Sequence, residues 1–195
     1  GGRPGDTEFP LTVEYTKMNI NNKPTTIPQG TIVYGWNRNN QLSFDSVGGD
    51  SASATLKKTL LAECQQLQSQ VVFDNRKMKV GDEYKRETPL SVPVPGYNPF
   101  NMKITTIFKL VNVDGNLASF DITQKYTATT NQTSYKADVQ GKGAGKMLYN
   151  TGYGCSLNYS LNSVMKMKFT LTNKTTIEST SKTGYEIVTY VKPAN

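Results

Sequence analysis

Hydrophobic and polar residues alternate along the stretch from Tyr153 to Leu171. The odd positions carry Tyr, Cys, Leu, Met and Phe with a single serine, whereas the even positions are polar or glycine apart from Val164. Successive side chains on a strand point to opposite faces, so this pattern predicts one long strand with an apolar and a polar face. At about 3.3 Å per residue the strand would extend on the order of 60 Å. A strand of that length in a chain of 195 residues is expected to be coiled or bent.

One segment has a different period. From Ser51 to about Gln68 the apolar residues recur every three or four positions, which predicts an amphipathic helix. Gly48 and Gly49 precede it, and Asp50 or Ser51 can cap it. We expect its apolar positions Leu56, Leu60 and Leu67 to pack on the odd-numbered side chains from Cys155 to Leu171.

The remaining segments read as strands joined by turns. A hairpin is predicted for residues 31–47, and Asp114-Gly115 is a strong signal for a second. Prolines between Pro89 and Pro99 indicate an edge strand or a loop, and Tyr185 to Val191 is expected to be the last strand. The predicted fold is mainly β (α+β): a highly curved antiparallel meander sheet or half-open barrel of about ten strands, with the helix on the concave face. A closed lipocalin-like barrel is the alternative.

The domain organisation is simple. Residues 1–8 are expected to be a flexible tether or an expression remnant, and residues 9–195 a single β-rich domain. The chain contains no apolar run near 18 residues, so no transmembrane helix is expected.

Three alternate glycines fall on one face of a predicted strand, at Gly141, Gly143 and Gly145. The flanking spacing does not match a phosphate-binding loop, which needs four residues before Gly-Lys and a following Ser or Thr. The glycines instead predict a sharp bend of the sheet or a close approach by another backbone.

The two cysteines both occupy apolar positions, Cys64 on the helix and Cys155 on the long strand. If both face the same core, they either form a disulfide or remain two buried free thiols. A disulfide would close a loop of about 90 residues and stabilise the fold by roughly 4 kcal/mol.

Charge and composition exclude several chemistries. The net charge is +7, but 18 of the 22 basic residues are lysine, and phosphate-reading sites favour arginine; no specific nucleic-acid partner is expected. The chain has no histidine, which excludes Ser–His and Cys–His triads and histidine-based metal sites. The acidic group around Asp82, Glu83 and Glu87 lies among basic residues and reads as a salt-bridged surface. We therefore expect no catalytic residues, no metal, no cofactor and no enzymatic activity.

Aromatic and methionine side chains are the candidate ligand-binding groups. Five aromatics lie near turns and prolines and could line the mouth of the curved sheet, and the inward face of the long strand adds adaptable side chains. The set is Tyr34, Trp36, Tyr84, Tyr97, Phe100, Met165, Met167 and Phe169.

Three motifs together resemble the C-terminal half of a poorly characterised family of secreted or lipid-anchored envelope proteins of Gram-negative bacteria. They are the Val80-Gly81-Asp82-Glu83-Tyr84 segment, the alternate glycines, and the amphipathic strand after Asn150-Thr151-Gly152. The resemblance covers about residues 50–191, with Tyr84 where the family pattern has tryptophan. It implies export to the periplasm, the outer-membrane surface or the extracellular space, with a lipid anchor as one option, and a β-rich fold. The architecture also looks like the half-barrels of lipoprotein carriers.

Two functions follow as hypotheses. The first is a non-enzymatic envelope protein that binds an apolar small molecule, a lipid or a lipidated partner in the concave sheet. The second is a structural or adhesion module that binds polysaccharide or protein through its outer face. A contiguous exposed aromatic patch would favour the second. The sequence leaves the oligomeric state open.

Overall fold

The computed structural model describes residues 8–20, 23–24, 30–38, 41–48, 54–69, 73, 77–94, 97–132 and 134–191. The predicted tether lies outside these residues except for Glu8, which already belongs to the first strand. The described chain is mainly β, as predicted, with one helix. Its elements are β1 Glu8–Ile20, β2 Lys23–Pro24, β3 Thr31–Arg38, β4 Gln41–Val47, α1 Ala54–Ser69, β5 Glu83–Val94, β6 Tyr97–Asp114, β7 Leu117–Asn131, β8 Tyr135–Asn150, β9 Cys155–Leu171 and β10 Thr176–Val191.

The strands form a single antiparallel sheet in the order β4-β3-β1-β10-β9-β8-β7-β6-β5, with the two-residue β2 paired to β1. From β5 to β10 each strand pairs with the next in the chain, which is the predicted meander. β1 then pairs with β10, so that Leu11 lies opposite Val191. Because β4 and β5 end the sheet, it is not closed, and the lipocalin-like alternative is wrong. The described helix is neither long nor apolar enough to cross a membrane.

The last strand is longer than predicted. β10 runs without interruption from Thr176 to Val191 and pairs with β9 along thirteen positions. The segment from Glu178 to Thr183 within its first half contains only polar side chains. Period-two alternation of apolar and polar residues detects only half-buried strands, so it missed this segment, which is a strand because it pairs with β9.

One face of the sheet carries the odd-numbered side chains of β9 and is called the apolar face; the other is the polar face. Four buried clusters lie on the apolar face, and two of them lie on β6 to β9. The lower one surrounds Phe108, Phe120 and Leu161, and the upper one contains Phe100, Val139 and their neighbours.

The sheet curls so that distant strands touch on the apolar face. The ring centroids of Phe100 on β6 and Phe169 on β9 lie 5.7 Å apart. These strands are three positions apart in the sheet, a distance of about 14 Å if the sheet were flat. The upper cluster is therefore enclosed by the rolled sheet itself, as in a half-barrel.

A polar band separates the two clusters. One cross-strand row consists of Thr106, Gln124, Gly143, Ser163 and Thr183, all on the apolar face. Gln124 is buried, and its Nε2 donates to Thr106 Oγ1 at 3.1 Å. Its Oε1 accepts a hydrogen bond from the Tyr126 hydroxyl, so the buried amide is satisfied on both sides.

The alternate glycines sit in and beside this band, and the predicted close approach is confirmed. A Cβ on Gly145 would lie 1.9 Å from the backbone oxygen of Ser160, and one on Gly141 would lie 2.8 Å from that of Val164. Both contacts are with the backbone of β9. The β9 backbone therefore occupies the space that a side chain on Gly141 or Gly145 would need.

Helix α1 packs on the apolar face, but not where we expected it. Leu60 is fully buried in a cluster with Val13, Val33 and Ile187. The helix lies over β4 and β3 rather than over the odd-numbered wall of β9. The reason is topological. The β1–β3–β4 unit extends the sheet beyond β10, and a helix that directly follows β4 packs on that extension. Leu67 has no described side chain.

Both ends of the sheet are protected. At β4, the side chain of Gln65 on α1 reaches across and donates from Nε2 to the backbone oxygen of Leu42 at 2.7 Å. At the other end β5 is an edge strand, as its prolines predicted, and Pro89 withholds one backbone donor. Lysines and prolines on an edge oppose pairing with another chain.

Candidate functional site

The predicted ligand-binding residues do not form one pocket. Tyr34 and Trp36 project from the polar face of β3, whereas Met165, Met167 and Phe169 pack on the upper apolar cluster. Phe100 is buried in that same cluster. The structure thus separates the set onto opposite faces of the sheet.

Two further members of the set have packing partners. Tyr84 stacks on Phe108 and contacts Phe73, with ring centroids 6.2 and 5.4 Å away, and so belongs to the lower apolar cluster. Tyr97 is partly exposed and meets Tyr135 edge-on at 5.6 Å. Neither lies beside Tyr34 or Trp36.

Tyr34 and Trp36 are joined on the polar face by an aromatic residue that sequence reasoning did not single out. In the sheet, Tyr190 on β10 is opposite Thr12 on β1, and Thr12 is opposite Tyr34 on β3. The two tyrosines are therefore two strands apart, about 10 Å between backbones. We call Tyr34, Trp36 and Tyr190 the aromatic platform.

The platform is open to solvent although its rings are large. Tyr34, Trp36 and Tyr190 expose 39%, 37% and 48% of their surface. Thr12, which lies between the two tyrosines in the sheet register, is only 8% exposed. The Tyr34 ring lies beside Gly48, where a Cβ on that glycine would be 3.0 Å from Tyr34 Cε2. Pro10 and Ser43 are the cross-strand neighbours of Trp36. The acidic residues of β1 on this face are Glu8, which is opposite Arg38, and Glu14, two residues from Thr12.

A cation completes the platform. The guanidinium carbon of Arg38 lies 5.2 Å from the centroid of the Trp36 ring, within the range of a cation–π interaction. Arg38 follows Trp36 by two residues on the same face of β3. The arrangement offers flat apolar ring surfaces, a hydroxyl on each tyrosine and guanidinium donors, which suits a ligand with both apolar and hydroxyl surfaces.

The polar face also carries three neighbouring clefts. The largest has a volume of about 1070 Å³ and spans β5 to β9. A second continues over β8, β9 and β10 at Lys142 and Lys182, and a third lies near Lys168 and Glu178. The side chains that line them are mainly lysine, threonine and other polar residues of the even-numbered β9 face. The largest of the three is also lined by Met102, Ala128 and Val139, which are buried members of the upper cluster.

Several ionisable groups are buried on the apolar face of the sheet. Burial raises the pKa of the Cys155 thiol to about 12, and burial also raises the pKa values of Tyr149 and Tyr159 to about 12. These groups are therefore neutral at physiological pH. Cys155 is buried and packs against Phe9 and Leu11. The side chain of Cys64 lies outside the described residues, so its disulfide with Cys155 stays a prediction.

The described part of the chain contains no group of three or more Cys, Asp or Glu side chains that could hold a metal ion. No family model, no curated protein and no solved structure matches the chain.

The sequence analysis did not find two parts of the candidate sites, Tyr190 and the grouping of the cleft lysines. Tyr190 lies in a strand whose partner, β1, is at the other end of the chain, so no local pattern places it near Tyr34. The lysines of the clefts alternate with threonine and other polar residues, as on any solvated strand, and only the register between strands brings them together.

Proposed function

We propose that this protein is a non-enzymatic, exported binding module that recognises polysaccharide through the aromatic platform. The observation that carries the proposal is the set of three exposed rings on the polar face, Tyr34, Trp36 and Tyr190. Arg38 lies over the Trp36 ring. This is the outer-face alternative of the two functions expected from the sequence.

The chemistry of sugars fits the platform. The axial C–H groups of a pyranose ring form an apolar patch that packs on a flat aromatic ring, while its hydroxyls need hydrogen-bond partners at the edge. Tyr and Trp supply large rigid contact area at a low cost in side-chain entropy, and their hydroxyl and N–H groups remain available. Partly exposed rings on neighbouring strands of a sheet keep this surface preorganised.

Export is supported by the resemblance to envelope proteins and remains part of the proposal. The apolar-ligand function also stays a prediction: Met165, Met167 and Phe169 are half-buried against the upper cluster, and native mass spectrometry of the purified protein would detect a retained lipid.

The test uses Trp36 as its own reporter, because it is the single tryptophan of the chain. Titration with soluble polysaccharides of different backbones, for example a β-glucan, a galactomannan and polygalacturonate, should change the Trp36 fluorescence for at least one of them. Tyr190→Ala should weaken that binding about tenfold, as expected for loss of an aromatic anchor. The bound polysaccharide should show no new reducing ends after prolonged incubation.

Tyr97→Ala is the matched control, since Tyr97 is a similarly exposed tyrosine (41%) that is not part of the platform. It should leave binding unchanged. Equal weakening by Tyr97→Ala and Tyr190→Ala, or no fluorescence change with any polysaccharide, would refute the platform as a sugar-binding site.

A further inference from the structure

The largest of the three clefts on the polar face carries more positive than negative side chains. It is formed where β5 to β9 present their polar-face side chains, and its charged lining residues are Lys103, Lys125, Lys142, Lys166, Glu87 and Asp138. We call this region the lysine cleft. Four cations and two carboxylates leave an excess of two positive charges.

Three of the lysines are close neighbours in the sheet. Lys125 on β7 is directly opposite Lys142 on β8, a position in which Cβ atoms are about 5 Å apart and like charges destabilise the pairing. Lys142 is in turn opposite Val164 on β9, and Lys166 follows two residues later on the same face. The cleft therefore concentrates positive charge where sheet stability alone would favour opposite charges.

The carboxylates of the cleft do not neutralise this trio. Glu87 Oε1 lies 2.9 Å from Lys85 Nζ and its Oε2 lies 3.5 Å from Lys103 Nζ. These partners, first the hydrogen bond from Lys85, lower the pKa of Glu87. Asp138 is opposite Lys168 in the sheet, and in the described chain no carboxylate forms an ion pair with Lys125, Lys142 or Lys166.

The lysine cleft and the aromatic platform lie on the same face of one sheet. The second cleft shares Lys142 and Val164 with the lysine cleft and extends to Lys182 on β10. Tyr190 of the platform lies on the same strand. Lys182 and Tyr190 are eight positions apart on the same side of the strand, a rise of about 26 Å. A polymer held at one region is thus within reach of the other.

We propose that the lysine cleft binds the acidic groups of the polysaccharide, so that the ligand is a carboxylate- or sulfate-bearing glycan. This inference rests on the proposed function. The uncompensated trio provides the charge complementarity, and the methylene stems of the lysines with Val164 and Pro89 give the cleft apolar walls for sugar rings. Lysine ammoniums act as point charges that suit dispersed acidic groups.

The experiment compares two polymers with one backbone: polygalacturonate and its carboxyl-reduced, neutral form. The test variant is Lys125→Gln with Lys142→Gln, and the control is Lys57→Gln with Lys58→Gln on α1, which makes the same change of net charge away from the cleft. Wild type should bind polygalacturonate about tenfold more tightly than the neutral polymer at low salt, a difference of about 1.4 kcal/mol. Added salt should reduce the difference, because salt screens exposed charges.

The cleft variant should lose this acid preference while it retains its affinity for the neutral polymer, and the control should behave like wild type. The cleft variant should also melt at the same or a higher temperature than wild type, because it removes a repulsive pair. A merely structural pair of lysines would not separate stability from binding in this way.

Different failures have different signatures. Equal affinity of wild type for the two polymers, or an unchanged preference in the cleft variant, would overturn the acidic-ligand proposal and leave the platform intact. Acid-dependent binding that survives Trp36→Ala unchanged would support the lysine cleft and overturn the role of the platform. Tighter binding of a single-stranded DNA oligonucleotide than of polygalacturonate would overturn the polysaccharide class of the ligand.

Discussion

Alanine at position 145 would place a methyl carbon inside the backbone of the neighbouring strand. The Cβ would be 1.9 Å from the carbonyl oxygen of Ser160 and 3.0 Å from the Cα of Leu161. Ordinary non-bonded contacts begin near about 3.5 Å, so β8 and β9 would have to separate by roughly 1.5 Å at this point. Such a shift breaks the ladder hydrogen bonds on either side of the contact.

The expected loss of stability is the sum of three contributions. Overpacking of this kind costs about 1–3 kcal/mol, and two lost ladder hydrogen bonds add about 1 kcal/mol each. The lower unfolded-state entropy of alanine returns about 0.4–1 kcal/mol. We therefore expect Gly145→Ala to lower the free energy of unfolding by about 3 kcal/mol.

Gly143→Ala is the matched control two residues away on the same face. Its Cβ would meet the Ser163 Cβ at 3.2 Å, which a small adjustment relieves, so the entropy gain should nearly cancel the cost. Urea denaturation followed by far-UV circular dichroism measures both variants, and at about 2 kcal/mol per molar urea Gly145→Ala should lower the midpoint by about 1.5 M. Midpoints that agree within about 0.3 M would refute the idea that glycine is needed for the approach of β9.

Three further predictions concern buried polar groups. In a Cys64→Ser variant, a thiol reagent at pH 8 should leave Cys155 unmodified until denaturant is added, because its pKa of about 12 keeps the buried thiol protonated; rapid labelling of the native protein would contradict the packing. Folding raises the pKa of Cys155 from an ordinary value of 9.0 and the pKa values of Tyr149 and Tyr159 from 10.0, so the folded state favours their neutral forms. The free energy of unfolding, measured in urea at different pH, should therefore be constant up to about pH 9 and fall between pH 9 and 12. Asn37→Asp should lower the free energy of unfolding by at least about 3 kcal/mol, because the buried Asn37 amide donates to the backbone oxygen of Tyr153 at 2.9 Å and a carboxylate cannot donate. Thermal melts at pH 7 should show a lower melting temperature, and an unchanged melting temperature would contradict this role of Asn37.

Much of the fold could be predicted from local patterns. Period-two alternation identified β9, and a single change of period identified α1. The Asp114-Gly115 pair identified the turn between β6 and β7, where Gly115 adopts a positive φ of 55°. The alternate glycines were correctly interpreted as a close approach because a bare backbone at three same-face positions has few other uses.

The arrangement of strands could not be predicted in the same way. Alternation fixes which side chains share a face of one strand, but it contains no information about which strands become neighbours or in which register. The pairing of β1 with β10 moved the helix away from β9 and created the platform, and the register of β7 with β8 put Lys125 opposite Lys142. The first outcome depends on strands at opposite ends of the chain, and the second depends on the register of one hairpin. Both candidate sites arise from these pairings.

The same β1–β10 pairing has a consequence for the order in which the molecule is assembled. From β5 to β10 each strand hydrogen-bonds to the next strand in the chain, so this part can form by successive hairpins as soon as each strand is available. Leu11 and Val191 are partners across nearly the whole chain, and closure of so long a loop makes such contacts slow. The hairpin that bears Trp36 can form locally, but Tyr190 joins Tyr34 and Trp36 only when the final strand pairs with β1. We therefore expect the platform to be completed late in folding.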